Sequence, residues 1–330
     1  GFPLKPLLSA GLLGKSGMAK WTAWSKLPVS LAQSLAFLIR KRPSLVVGVG
    51  GYVSGPLVLA AWGLRIPILI HEQNVLPGRT NQLLGKLADK IAVSFEESKR
   101  YFPRHKTVTT GNMVREEFCR PRERSEAWAR DKFCVLVLGG SQGAHSINQA
   151  MTEALDLLAD RREALHITHQ TGERDYAFVE NRYREKGFSA DVRPFLHDMP
   201  EQYLKASLVV CRAGATTLAE VTACGKMSVL IPFPHAAHNH QKRNAQILET
   251  ADAAEMIEDR ELTGEALARV ILGAMDEPGR VQRMEENSYR LGNRDATEKV
   301  RDLCLQLIRD HQKTISRANS AGGKSSLSCF

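Results

Sequence analysis

Apolar positions along the chain fall into two patterns. Short apolar runs closed by glycine, proline or polar residues occur at Leu45–Val47, Ile66–Ile70, Lys90–Val93, Phe133–Leu138, His166–Thr168, Val192–Leu196 and Leu208–Cys211. Runs of this length without polar alternation read as strands buried on both faces. Between them lie longer stretches with helical spacing: Leu27–Arg42, Leu76–Leu87, the segment from Ser146, Tyr176–Lys186, Met199–Lys205 and the segment through Glu220. Beyond Ile257 the spacing stays helical over Glu261–Met275, Arg280–Leu291 and Thr297–Gln312. Strand and helix in alternation predict parallel, doubly wound sheets, which place ligands at the carboxyl ends of their strands.

The 330 residues suffice for two such domains, each with its own core. The stretch Glu116–Lys132 turns charged and loses its apolar strands, so it marks the join. The expected division is a first α/β domain over 1–118, a linker over 119–132, a second α/β domain over 133–293, a last helix over 294–312 and a disordered Ser-, Gly- and Lys-rich tail over 313–330. The uncharged run between Ser44 and Arg65 is long enough for a membrane span, but its glycines and Pro56 read as strand, loop and helix. No transmembrane segment or signal peptide is expected.

Candidate chemistry collects where strands end. After Leu208–Cys211 comes Arg212-Ala213-Gly214-Ala215-Thr216-Thr217, then a helix carrying Leu218, Ala219 and Glu220. Gly214 allows close approach of a ligand to the backbone, and the small residues behind it open a helix whose free N–H groups suit a diphosphate. Glu220, about one turn further on, is placed to accept hydrogen bonds from a ribose diol. The same residues also describe an ordinary capped helix start. Gly139-Gly140-Ser141-Gln142-Gly143-Ala144 forms a second backbone cradle for an anion. His71-Glu72-Gln73-Asn74, after an apolar run, offers an imidazole, a carboxylate and two amides to a crevice, or caps the next helix. Arg115 either clamps a phosphate or sits exposed.

Composition narrows the classes. At 43% hydrophobic and 25% charged residues the chain is globular. The six cysteines, Cys119, Cys134, Cys211, Cys224, Cys304 and Cys329, show no C-x-x-C pair, which points to reduced thiols rather than a disulfide frame or a zinc site. A net charge of +9 predicts anionic partners. No nucleic-acid-binding module is present, so nucleic acid is excluded in favour of lipid or nucleotide. Leu12–Lys26 interleaves Trp21, Trp24 and aliphatics with lysines, a composition suited to an anionic membrane surface or to a partly buried helix with a basic face.

Taken together, Gly50-Gly51-Tyr52-Val53-Ser54-Gly55-Pro56, His71-Glu72-Gln73-Asn74, Gly111-Asn112 with Arg115, Gly139–Ala144, Gly214–Thr217 with Glu220, and His240-Gln241 with Asn244-Ala245 closely resemble the MurG family of N-acetylglucosaminyltransferases. The resemblance runs in order from about Ser9 to about Asp310. It implies a GT-B glycosyltransferase fold of two Rossmann-like domains facing a cleft, with donor in the second, acceptor in the first, and a last helix crossing back. It implies inverting transfer from UDP-N-acetylglucosamine to the muramoyl-pentapeptide of lipid I on its undecaprenyl diphosphate carrier, giving lipid II at the cytoplasmic face of the cell membrane, with peripheral attachment. The family's donor contacts fall on Asn74, Arg115, Ser141, Leu196 (backbone to uracil), Gly214, Ala215, Thr216, Thr217, Leu218, Ala219, Glu220 and Gln241. Acceptor contacts fall on Tyr52 and Ser54, with Glu72 and Asn74. No cofactor is required, the role of a divalent cation is left open, and no metal site is expected.

Family members begin with a strand and a glycine-rich loop ending in a histidine, and the chain shows no such loop. The family's usual general base is therefore missing from this sequence, which leaves His71 and Glu72 as catalytic candidates and reads the chain as truncated, with its own activity in question. Rival readings are another UDP-sugar enzyme of the same fold, such as a glycolipid glycosyltransferase or a 2-epimerase, and a non-catalytic UDP-sugar-binding remnant. A dehydrogenase is disfavoured because no strand leads into G-x-G-x-x-G with an acidic residue about 20 positions on.

Overall fold

In the computed structural model, which describes residues 18–51, 53–119, 132–140, 142–236 and 239–322 together with Leu4 and Pro6, the chain divides into two units. Gly1–Gly111 and Asp295–Phe330 form the first, and Asn112–Arg294 the second.

The first unit holds a four-stranded parallel sheet of β1 (Val46–Gly48), β2 (Ile68–Glu72), β3 (Lys90–Val93) and β4 (Thr107–Thr109), in that spatial order. Its register sets Val46 opposite Ile68 and Ile70 opposite Ile91. Helices Met18–Lys41 and Ser54–Gly63 pack on one another, and Leu38, Val58, Ala61, Ile68, Ile70 and Ile91 share one apolar core.

The unit's last helix, Ala296–Gly322, packs beside β3. Its buried or half-buried positions, Ala296, Val300, Leu303, Cys304, Leu307, Ile308 and His311, follow helical spacing and stop there. The helix continues exposed into the segment expected to be disordered, because no glycine or proline interrupts it before Gly322. Residues 323–330 of that tail lie outside the described residues.

The second unit is a six-stranded parallel sheet of β5 (Phe133–Leu138), β6 (Leu165–Gln170), β7 (Ala190–Arg193), β8 (Leu208–Cys211), β9 (Ser228–Leu230) and β10 (Ala254–Met256), in the order β10-β9-β8-β5-β6-β7. The apolar run of β5 is continuous because both faces are covered. Val135 and Val137 pack with Ile147 and Met151 of helix His145–Leu157, while Leu136 and Leu138 pack with Tyr203 and Leu218 on the other face. The chain winds outward in both directions from β5 and β8, so their neighbouring carboxyl ends form the switch point where an open α/β sheet leaves a crevice. Gly139–Ala144 follows β5, and Arg212–Thr217 follows β8.

The segment expected to end the first domain groups instead with the second. Phe118 is buried edge-on against Tyr203, at 5.6 Å between ring centroids, and so anchors Asn112–Cys119 to the second unit's core. Residues 120–131 of the expected linker lie outside the described residues.

Candidate functional site

In the second unit, helix Ala215–Ala223 starts directly behind the β8 turn, and its first backbone bond runs from Leu218 N to Gly214 O at 2.9 Å. The N–H groups of the preceding turn have no partner within the helix, as at any helix start, and the helix dipole adds partial positive charge there. Gly214 has an ordinary extended backbone, φ −68° and ψ 141°. A Cβ on it would meet only Thr217 Oγ1, at 3.8 Å. Neither packing nor backbone therefore demands glycine here, and the space its missing side chain leaves is open to a ligand.

Glu220 lies about one and a half turns along, half-buried. Burial pushes its carboxyl up to about 7, opposed by the attraction of Arg115 and by the hydroxyl of Tyr203, which donates to Oε2 at 3.5 Å. Arg115 is exposed, its guanidinium 4.9 Å from the Phe118 ring. A half-buried carboxylate beside an exposed guanidinium and a helix start places a hydrogen-bond acceptor, a cation and backbone donors within one unit.

Two elements hold this turn from behind. Asn244, buried in helix His240–Thr250, donates from Nδ2 to Ala213 O at 3.2 Å, and Gln241 Oε1 accepts from Phe233 N at 2.9 Å. Gln241 thus shapes the Pro232–Pro234 loop in this structure. Arg212, mostly buried, donates to Ile231 O at 3.3 Å, Pro232 O at 3.4 Å and Ser146 Oγ at 2.8 Å, and pairs with Asp259. It therefore ties β9, the start of helix His145–Leu157 and the segment after β10 to the β8 turn. Sequence reading assigned it no role, since its partners lie up to 66 residues away.

The Gly139–Ala144 loop is tightly built. A Cβ on Gly139 would lie 2.3 Å from Ala144 N, and one on Gly143, where φ is +75°, would lie 2.1 Å from Thr171 O. Only glycine fits either position. Behind the loop, His169 is fully buried between Tyr183 and Asn148, and burial pushes its pKa down to about 3, so it is neutral. Asn148 in turn donates to Asp175, which pairs with His145.

In the first unit the structure corrects the reading of His71–Asn74 as a polar loop. β2 runs two residues further than expected and carries both His71 and Glu72 into the interior. Glu72 Oε1 accepts from Asn74 N at 2.9 Å and Asn74 Nδ2 at 3.3 Å, and Oε2 accepts from Gly78 N at 3.2 Å and Asn81 Nδ2 at 2.8 Å. The carboxylate is the fastener of the 73–78 loop. His71 has both ring nitrogens engaged, Nδ1 by the Gln73 amide at 3.1 Å and Nε2 by Gly111 O at 3.2 Å. The first contact is to an amide N–H and the second to a carbonyl, so the proton sits on Nε2. Burial lowers the His71 pKa, outweighing the contributions of Gly111 and Glu72 that raise it. Neither group presents a free lone pair to solvent, and the catalytic role expected of them is not supported by this geometry. Asn74 remains partly accessible at the loop they hold. Ser54 opens helix Ser54–Gly63 by donating to Gly50 O, with Gly50 and Gly51 both at positive φ.

Leu196 is buried, with its N–H bound by Gln170. Thr216 is exposed and Thr217 and Ala219 are half-buried, whereas Ala215 and Leu218 face the core. Tyr52 and Ser141 lie outside the described residues, as do the side chains of Trp21 and Trp24. Among the described residues no cluster of three or more histidine, cysteine or acidic side chains could hold a metal ion. No described helix is long and apolar enough to cross a membrane.

The glycosyltransferase family 28 C-terminal domain matches residues 134–303, and the family 28 N-terminal domain matches residues 1–93. A UDP-N-acetylglucosamine–N-acetylmuramyl-(pentapeptide) pyrophosphoryl-undecaprenol N-acetylglucosamine transferase of Myxococcus xanthus is 46% identical over 308 residues, covering 93% of this chain and 80% of the relative. The protein of that name from Geobacter sulfurreducens is 47% identical over 314 residues, covering 94% and 86%. The crystal structure of Acinetobacter baumannii MurG superposes with a TM-score of 0.72 at 30% identity, covering 86% of this chain and 79% of that one. A UDP-GlcNAc 2-epimerase from Neisseria meningitidis, at 12% identity and a TM-score of 0.61 over 88% of this chain and 82% of its own, shares the fold alone.

Proposed function

The chain belongs to the MurG family within glycosyltransferase family 28, and from that premise we propose that it transfers N-acetylglucosamine from UDP-N-acetylglucosamine to undecaprenyl-diphospho-muramoylpentapeptide, giving lipid II. The observation that carries the donor assignment is Glu220: a half-buried carboxylate, about one and a half turns into a helix whose start has room at Gly214 for a phosphate. Ribose hydroxyls donate to the carboxylate, and the diphosphate meets the N–H groups of Ala215–Thr217.

The reaction is a displacement at the anomeric carbon with inversion. Negative charge grows on the departing diphosphate, and the helix start and the Arg115 guanidinium are groups fitted to stabilise it. Ser141, in the second glycine loop, and Gln241 complete the donor contacts in this reading. On the acceptor side Tyr52, Ser54 and Asn74 contact the lipid-linked sugar, with Glu72 and His71 acting through the loop that presents Asn74. No metal is required for these contacts. The acceptor is a lipid, so the enzyme works at the cytoplasmic face of the membrane, attached peripherally. Large apolar side chains exposed on the first unit, Val29, Ile39 and Trp62, and the basic Arg40 and Lys41 suit that attachment.

The test has two stages. Calorimetry should detect UDP-N-acetylglucosamine binding that Glu220→Ala weakens at least tenfold; equal binding by both proteins removes the donor assignment. Radiolabel from the donor should then appear in a lipid I analogue. Binding without transfer to that acceptor would instead fit a non-catalytic UDP-sugar-binding chain.

A further inference from the structure

The base and the diphosphate of one nucleotide must be held at a fixed separation, and in the second unit these two jobs fall to different loops. The glycine loop after β5 is in this reading the second phosphate contact, beside the helix start at Ala215–Thr217, and the segment after β7 carries Leu196, the expected uracil contact. Between them in the sheet stands β6. Gln170, its last residue, pairs in register with Leu138 at the end of β5 and with Arg193 at the end of β7.

The Gln170 side chain is almost fully buried and spans both loops. Its Nε2 donates to Gly140 O at 2.8 Å, and its Oε1 accepts from Leu196 N at 2.9 Å. A carbonyl partner on one side and an N–H on the other fix which end of the amide is which. The backbone repeats the link, since Gly139 N reaches Gln170 O at 3.4 Å and Thr171 N reaches Arg193 O at 3.1 Å. The next residues wedge the glycine loop from below: a Cβ on Gly172 would lie 2.6 Å from Gln142 O. Gly140, held by this bond, has φ +78° and would have no other side-chain anchor among the hydrogen bonds described for it.

We propose that Gln170 is a positioning residue for the nucleotide: its carboxamide couples the phosphate loop to the base loop, so that a ligand spanning both meets two preset ends. The inference rests on the donor assignment above. It is a statement about coupling, and coupling has its own signature. A ligand that touches both loops gains from their fixed spacing, whereas a fragment that touches one does not.

The experiment is calorimetry or competition binding of UDP and of uridine to the full chain, as wild type, Gln170→Met, Gln170→Glu and Glu220→Ala. Gln170→Met keeps the volume and loses both hydrogen bonds. The expected result is UDP binding weakened about tenfold while uridine changes less than about twofold. In transfer assays the same variant raises the donor KM and leaves kcat and the acceptor KM near wild type. Gln170→Glu keeps the acceptor for Leu196 N but sets a carboxylate oxygen against Gly140 O. Its UDP affinity, as a ratio to wild type at each pH, recovers as pH falls and the carboxyl gains a proton to donate. That rescue is not the behaviour of a residue that merely fills space.

Equal weakening of UDP and uridine, or no change in either, overturns the proposal. So does a pH-independent ratio for Gln170→Glu, which also decides the matter if the Met variant does not fold. Glu220→Ala separates the two levels: if it leaves UDP binding unchanged, the donor assignment fails, and if it weakens binding while Gln170→Met does not, the coupling role alone fails.

Discussion

Donor binding should depend on pH through one carboxyl. Glu220 has its pKa lifted from the ordinary carboxylate range to about 7 by burial, and Arg115 pulls the other way. If ribose hydroxyls donate to the ionised form, protonation competes with the ligand. The dissociation constant is then multiplied by one plus the ratio of protonated to ionised carboxyl, about elevenfold at pH 6, twofold at pH 7 and 1.1-fold at pH 8. Affinity should therefore fall about tenfold from pH 8 to pH 6, roughly 1.4 kcal/mol. UDP-N-acetylglucosamine is the ligand to use, since its diphosphate is esterified at both ends and does not titrate in this window.

Calorimetry supplies two readouts of the same linkage. The first is the affinity profile. The second is the release of about half a proton per ligand at pH 7, obtained from the binding enthalpy in buffers of different ionisation enthalpy. Glu220→Gln should flatten both, because the amide does not titrate. Arg115→Ala removes the attraction that holds the pKa down and should move the midpoint to higher pH. A wild-type profile flat between pH 6 and pH 8, or one that Glu220→Gln leaves as steep, refutes the assignment of Glu220 as the titrating donor contact.

The same shift makes a stability prediction. With its folded pKa above the unfolded value, Glu220 gives the folded chain more bound protons between about pH 4.5 and pH 7, so its contribution to stability is lost as pH rises through 7. Glu220→Gln should accordingly raise the stability of the ligand-free chain at pH 8 by about 1–3 kcal/mol and much less at pH 5, read from urea unfolding. Glu72→Ala strands four donors in the first unit and should cost about 3 kcal/mol or more, with Glu72→Gln costing less; equal, small effects in chemical denaturation would show that the carboxylate is not the loop's fastener. Gly143→Ala sets a Cβ against Thr171 O at a left-handed backbone position and should lower the unfolding free energy by about 3 kcal/mol or more. Co-sedimentation with vesicles rich in anionic lipid should fall for Trp62→Ala relative to wild type, and unchanged sedimentation would remove Trp62 from the membrane contact.

The residues proposed for the donor half could be read together from the chain because they are local. Gly214, the helix start and Glu220 lie within two turns, and β5, β8 and β3 appear with the bounds their apolar runs predicted. The three-residue strands β4 and β9 were not picked out, since three residues cannot display a period, whereas the equally short β1 was, because its apolar run is closed by Gly48. What tunes the local groups was also hidden. Tyr203 lies 17 residues from Glu220 and Arg115 over a hundred, and the packing of Phe118 on Tyr203 helps bring the segment holding Arg115 to the carboxylate.

The burial of His71 and Glu72 was missed for a more general reason. A His-Glu-Gln-Asn run after five mostly apolar residues looks like the exposed end of a strand, since polar side chains are mostly found outside. They can lie inside when every group has a partner, and the partners of Glu72 are supplied six and nine residues later by Gly78 N and Asn81. The sequence shows that a carboxylate is present but not that a loop will close over it. Such a group is costly to leave unpaired, and its four bonds commit it to holding the loop. Glu72 and Gln170 thus do similar work in their two units. Each is a buried side chain at the carboxyl end of a strand that ties down the loop beside it, and in the proposed reading each leaves contact with substrate to the neighbours it holds in place.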